Sequence, residues 1–164
     1  MANQKIRNAT QSSFKGITFK SQLEKSIYNI LLQQGFEPQY EPFTFTLWDG
    51  FEPITPYYDK ETDKQKDKRL LKAVNNCPSK ILVQKTGKVV GIRYTPDFYF
   101  KYNDLNVYIE AKGIENDVFY IKKKMFIKYL DNLLIEKGER SIYFEVYTKK
   151  QLLQAVEIIK SYEQ

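Results

Sequence analysis

The chain has 164 residues, 42% of them hydrophobic, which is enough for a domain with its own core and excludes a disordered segment. It carries a net charge of +6 and is rich in aromatics, with 13 Tyr and 11 Phe, a balance that suits a polyanionic partner and leaves rings to spare for stacking on bases. One cysteine and no histidine exclude a disulfide framework, Cys-rich and His-based zinc sites, Ser-His-Asp triads, Cys-His dyads and histidine bases together.

Residues 1–18 are polar and lack an apolar signal core, so they read as a flexible basic arm with Lys5, Arg7 and Lys15. No run approaches the roughly 18 apolar residues of a membrane span, so the protein is expected to be soluble and cytoplasmic. Ser21-Gln22-Leu23-Glu24 fits a capping box, in which Glu24 bonds back to the Ser21 amide. Leu23, Ile27, Ile30 and Leu31 follow at helical spacing, and Gly35 ends the helix. Residues 39–47 alternate as a strand. Asp49-Gly50, Pro53 and Pro56 then break the pattern, so residues 48–80 read as an insertion after the first strand, with a helix near 62–75. That helix would use the charged run from Asp59 to Arg69 and then Leu70, Leu71 and Val74; Cys77 reads as a bystander thiol.

Residues 81–83 and Val89-Val90, with Thr86-Gly87 between them, predict a hairpin. It feeds a strand from Arg93 to Phe100, and a turn at 103–106 leads into a second strand from Val107 to Lys112. Gly113 ends that strand. Asn116 or Asp117 caps a helix to about Ile135 that carries Lys122, Lys123, Lys124 and Lys128, and Gly138 closes it. Residues 141–147 form a hydrophobic strand, and Thr148 or Lys149 starts the last helix. The expected fold is a single α/β domain over residues 1–164, a mixed β-sheet flanked by helices, with the 48–80 insertion.

Two acidic motifs stand out in these strands, Thr95-Pro96-Asp97 and Ile109-Glu110-Ala111-Lys112. Burying a charge is costly unless it is paired or bound to a metal. A short 101–106 turn makes the two strands neighbours, so the carboxylates of Asp97 and Glu110 can converge on one cation, with the Ala111 carbonyl facing the same space. Lys112 lies two residues after Glu110 and so emerges on the same strand face. There it can orient or deprotonate a water and offset negative charge. Without histidine, oxygen ligands favour Mg²⁺, Mn²⁺ or Ca²⁺, and such a set can hydrolyse phosphodiesters.

Pro96-Asp97 followed by Glu110-Ala111-Lys112 resembles the PD-(D/E)XK nuclease signature, most closely that of phage-encoded members such as the endonuclease I type of Holliday-junction resolvase. Phe19-Lys20-Ser21-Gln22-Leu23-Glu24 matches their helix start, and Thr95-Pro96-Asp97-Phe98 and Ile109-Glu110-Ala111-Lys112-Gly113 match their strands. The resemblance spans about 19 to 147 and leaves 48–80 unaccounted for. It implies a restriction-endonuclease-like core of helix, three strands, helix and strand. It also implies Mg²⁺ (or Mn²⁺)-dependent endonuclease activity on branched or junction DNA, in a homodimer. Asp97, Glu110, Ala111 and Glu24 would be metal ligands and Lys112 catalytic, and Lys15, Lys20, Lys122, Lys123 and Lys124 would contact DNA. Bland alternatives stay open: Glu24 as cap only, Glu110 and Lys112 as an exposed pair, and the lysines as a solvated helix face. So do two other functions, a noncatalytic nucleic-acid binder that keeps the fold and a component of a larger recombination or packaging complex.

Overall fold

The computed structural model describes residues 10–70, 81–113 and 117–162. The expectations placed on Lys5 and Arg7, on Leu71, Val74 and Cys77, and on Asn116 lie outside the described residues. The chain divides into two compact units: one comprises the residues up to Leu47 and from Ile92 onward, the other Trp48–Gly91.

The first unit is built on a mixed four-stranded sheet. The first elements are β1 (Ser12–Phe14) and β2 (Ile17–Phe19), an antiparallel hairpin where a flexible arm was expected. Lys15 and Gly16 make its two-residue turn, both at positive φ (49° and 79°). That is the geometry of a tight hairpin turn, in which glycine adopts the left-handed conformation freely. The usual Asn-Gly signal is absent, which is why the hairpin is hard to read from sequence. α1 (Gln22–Gln33) follows, capped by Ser21, and its last turn closes at Gly35 through the Phe36 N–H to Leu31 carbonyl bond. The predicted 39–47 strand is two pieces, β3 (Gln39–Tyr40) and β4 (Phe45–Trp48).

After the second unit come β7 (Ile92–Tyr94), β8 (Phe98–Tyr102) and β9 (Leu105–Ala111), then α3 (Asp117–Lys137), β10 (Ser141–Val146) and α4 (Lys149–Ser161). The main sheet runs β10-β9-β8-β3, and β4 pairs with β7 separately. β8 and β9 are antiparallel, while β10 lies parallel to β9. A parallel pair needs a crossover connection, and α3 supplies it. Thr148 caps α4 with Gln151 in a full capping box.

Alternation sends the two sheet faces into two cores. One face presents Phe98, Phe100, Val107 and Ile109 to Ile27 and Leu31 of α1 and to Leu152, Val156 and Ile159 of α4. The other presents Tyr99, Tyr108 and Tyr143 to Phe119, Phe126 and Leu130 of α3. Phe126 is fully buried, and its ring meets those of Phe45, Tyr94, Tyr108, Tyr129 and Tyr143. Phe126→Ala is expected to cost about 3–5 kcal/mol, measured by urea unfolding; a loss below about 1 kcal/mol would contradict this central placement.

In the second unit, β5 (Tyr57–Lys60) leads into α2 (Asp63–Leu70), and β6 (Leu82–Lys85) pairs back on β5. Within 81–90 the predicted hairpin is therefore not formed: Leu82 to Lys85 take β5 as partner, and Val89 bridges to Phe51. The excursion thus runs to Gly91 rather than residue 80. Gly91 closes it for a steric reason, because a Cβ there would stand 2.5 Å from the Trp48 carbonyl oxygen.

Candidate active site

The β8–β9 hairpin builds the centre of the site. Asn103 takes a positive φ of 53° in its turn, so the two strands are adjacent. One position beyond their last pair, Phe98 with Ile109, Asp97 stands across from Glu110. Asp97 is held firmly. Its carbonyl accepts from the Glu41 N–H at 2.8 Å, and its Oδ2 accepts from the Ala111 N–H at 2.7 Å. Its Oδ1 has no hydrogen-bond partner among the described residues.

Glu110 is buried as well. Its Oε2 accepts from the Tyr94 hydroxyl at 2.6 Å, and its Oε1 meets Lys112 Nζ at 2.6 Å. Lys112 Nζ also lies 3.8 Å from the centre of the Phe119 ring. Both contacts are ones a cation makes, which fits water orientation and charge offset.

Glu24 reaches the sheet end from the first turn of α1. Ser21 Oγ accepts from the Glu24 N–H at 3.1 Å and donates to Glu24 Oε1 at 2.9 Å. The return bond of the expected capping box goes elsewhere: Glu24 Oε2 accepts from the Lys20 N–H at 2.9 Å and from the Tyr40 hydroxyl at 2.6 Å. Glu24 is thus a cap residue whose carboxylate is buried beside the site.

Electrostatics ties the four predicted residues together at Asp97. Burial pushes the Asp97 carboxyl up to about 8; Glu110 and Glu24 add to the rise, while the Ala111 N–H and Lys112 oppose it. Burial and the Glu110 charge likewise raise the Tyr94 hydroxyl, keeping it protonated as the donor to Glu110.

Among the described residues, no three acidic, histidine or cysteine side chains form a ready metal-holding group. Glu110 and Glu24 are instead occupied by Lys112, Tyr94, Tyr40 and the α1 start. The donor chemistry still fits a hard divalent cation. The site has three buried carboxylates and an Asp97 Oδ1 with no partner among the described residues, and burial together with the Glu110 and Glu24 charges raises the proton affinity of Asp97.

Tyr94, Tyr143, Glu145 and Tyr147 were not singled out as site residues by the sequence. The parallel register sets Glu145 beside Glu110. Glu145 Oε2 meets Lys123 Nζ at 2.6 Å, its Oε1 accepts from the Tyr147 hydroxyl, and the Tyr94 and Tyr143 hydroxyls lie 3.2 Å apart. The available signal was Tyr143, Glu145 and Tyr147 at period two in an otherwise apolar strand. Tyr94→Phe leaves Glu110 Oε2 without its buried donor, and a bond to a charged group is worth about 1.5–3 kcal/mol. A stability loss of that size in urea unfolding is expected, and an unchanged midpoint would refute it.

The predicted DNA-contacting lysines are scattered. Lys15 is exposed at the hairpin turn, 5.7 Å from the Phe14 ring centre. Lys20 is ion-paired with Glu41; burial pulls its ammonium down, but Glu41, Asp97 and Glu24 outweigh that and leave it above its ordinary value. Lys122, Lys123 and Lys124 do not act as one patch. Lys122 is half-buried, Lys123 is bound to Glu145, and Lys124 Nζ sits 4.3 Å from the Tyr120 ring centre. No helix among the described residues is long and apolar enough to cross a membrane. No protein-family model matches the chain, and no curated protein and no solved structure matches it, so any functional reading stands on the site itself.

Proposed function

We propose that the protein is a metal-dependent endonuclease of the PD-(D/E)XK type, acting on DNA phosphodiester bonds, with branched or junction DNA as the favoured substrate. The observation that carries this reading is Asp97 buried at the end of β8, within the fields of Glu110, Glu24 and Lys112 together. A solvated ion pair or a turn aspartate would need no such concentration of charge. A noncatalytic DNA binder would not need it either, because carboxylates repel phosphates.

Asp97, Glu110 and the Ala111 carbonyl would hold Mg²⁺ or Mn²⁺, with Glu24 directly or through water, and the bound cation would offset phosphate charge and activate water. The chain's own residues do the rest. Tyr94 and Lys112 fix the two Glu110 oxygens at 2.6 Å each. The Ala111 N–H fixes Asp97 Oδ2 and leaves Oδ1 available. Lys112 Nζ orients the attacking water and balances the charge gathered by three carboxylates. Lys15, Lys20 and Lys122 contact phosphates, Lys20 on leaving Glu41; Lys123 reaches one only by leaving Glu145.

The test is cleavage of junction, flap and linear DNA with Mg²⁺ or Mn²⁺. Cutting that needs the cation and is lost in Asp97→Ala supports the reading. Salt-sensitive DNA binding with no hydrolysis under any cation would assign the chain to the noncatalytic alternative.

A further inference from the structure

The second unit carries a ribbon with one open face. Among the described residues β5 and β6 pair only with each other, and two strands alone cover little surface. Directly opposed residues share a sheet face, and neighbours along a strand alternate between faces. The register therefore sorts the ribbon into Tyr57, Asp59, Val83 and Lys85 on one face and Tyr58, Lys60, Leu82 and Gln84 on the other. Val83 and Lys85 are half-buried, so the first face is partly covered. All four residues of the second face are exposed, Tyr58 by 60% and Leu82 by 71%.

The chemistry of the two faces is sorted as well. The open face holds a phenol ring, an aliphatic side chain, an amide and an ammonium, and no carboxylate. Asp59 belongs to the opposite face, and Glu61, just past the strand, is buried and accepts from the Ile81 N–H at 3.3 Å. The side chains of Tyr58, Lys60 and Gln84 have no hydrogen-bond, ion-pair or ring partner among the described residues. Single exposed apolar residues are ordinary. A ring and a leucine set beside a free cation and an amide instead match what an unpaired nucleotide presents: a flat base face, polar base edges and a phosphate. Tyr58 and Leu82 lie on the diagonal of the ladder, about 7–8 Å apart, close enough for one base to touch both.

We propose that this face of the β5–β6 ribbon binds unpaired bases of a branched DNA substrate. A base stacks on Tyr58 and packs against Leu82, Gln84 bonds to its edge, and Lys60 meets a phosphate. Stacking on a side chain needs a base face that is not already covered by its neighbours in a duplex, so the ribbon favours single-stranded segments over blunt duplex. The choice of DNA rests on the nuclease reading above, whereas the preference for unpaired bases follows from the ribbon alone. The excursion from Trp48 to Gly91 thereby acquires a task separate from the carboxylate site: recognising the single-stranded part of the substrate.

The experiment is fluorescence anisotropy of the full chain, without divalent cation, on labelled single-stranded oligothymidylate and on a blunt duplex of the same length. Tyr58→Ala should weaken oligothymidylate binding about fivefold or more and leave duplex binding unchanged, and Tyr58→Phe, which keeps the ring, should restore it. Lys60→Ala should lower the slope of log affinity against log salt by about 0.7, the share of one phosphate on a single strand. Tyr57→Ala, on the opposite face, should change nothing. Circular dichroism and urea unfolding would show that the variants fold as wild type does. The proposal is overturned if oligothymidylate does not bind, if Tyr58→Ala binds it as wild type does, if Tyr57→Ala loses as much, or if the face joins copies of the chain without affinity for DNA. Failure of the nuclease reading looks different: ring-dependent oligothymidylate binding without cleavage under any cation would keep this face and remove the nuclease. Cleavage abolished in Asp97→Ala but oligothymidylate bound equally by wild type and Tyr58→Ala would do the reverse.

Discussion

Lys112→Ala is expected to lower Mg²⁺-dependent DNA cleavage by about 10²–10⁴-fold, the range covered by a positioned group that assists proton transfer. The physical basis is the placement of Nζ, 2.6 Å from Glu110 Oε1 and over the Phe119 ring. With the ammonium gone, the buried Glu110 keeps only the Tyr94 hydroxyl as a donor among the described residues, and the water loses its orienting charge. Single-turnover cleavage measures the chemical step apart from DNA binding. The loss is expected in the rate, with the affinity for DNA nearly unchanged. Lys112→Arg restores charge without the same point-donor geometry, so it should recover stability more than rate. Cleavage by Lys112→Ala at the wild-type rate would remove this lysine from the reaction.

The second large effect concerns pH and the metal-free protein. The Asp97 carboxyl binds its proton more tightly when folded, at about 8 against its ordinary 3.8, because of burial and the charges of Glu110 and Glu24. The protonated folded form is therefore favoured, and this contribution is fully present below 3.8. It declines as pH rises and is gone once pH passes about 8. Each tenfold change in proton affinity is worth about 1.4 kcal/mol, so the decline amounts to a few kcal/mol. Metal-free wild type should unfold at lower urea concentration above pH 8 than in mild acid. Asp97→Asn, which cannot ionise, should flatten that trend and be the more stable protein at high pH. Added Mg²⁺ should stabilise wild type at high pH more than the variant, since ligand binding to the folded state adds stability. Parallel pH trends for the two proteins would show that Asp97 ionisation does not govern the decline.

The elements that local pattern controls were legible in the chain. α1 starts at Ser21 because its hydroxyl caps the Glu24 N–H, and it ends at Gly35. β9, α3, β10 and α4 lie where periodicity and turn residues put them, whereas the strand expected from Arg93 to Phe100 is two, β7 and β8, broken at Thr95-Pro96-Asp97 and paired with different neighbours. Asp97 and Glu110 stood out because strands with buried faces rarely carry carboxylates. The misreadings share another cause. Residues 12–19 carried a hairpin without its usual turn dipeptide, and 81–90 were read as self-paired although β6 takes β5 as partner. A strand's pattern reports which face is buried and says little about which strand lies alongside.

The division within the site is the same. Sequence alone determined that Asp97, Glu110 and Lys112 share a strand-end region and that oxygen, not imidazole or thiolate, must serve any metal there. It also determined that Glu24 begins a helix. Only the tertiary structure decided that Glu24 turns its carboxylate to Lys20 and Tyr40 rather than to the Ser21 amide, that Tyr94 clamps Glu110, and that Glu145 with Lys123 stands next to it. The Glu24–Lys20 contact is local, but those with Tyr40, Tyr94 and Lys123 span 16 to 22 residues, and the placing of Glu145 beside Glu110 depends on parallel pairing between β9 and β10 across α3. Composition and spacing carry periodicity and residue chemistry; the choice of distant partners comes from packing two faces of one sheet against helices, which no local stretch encodes.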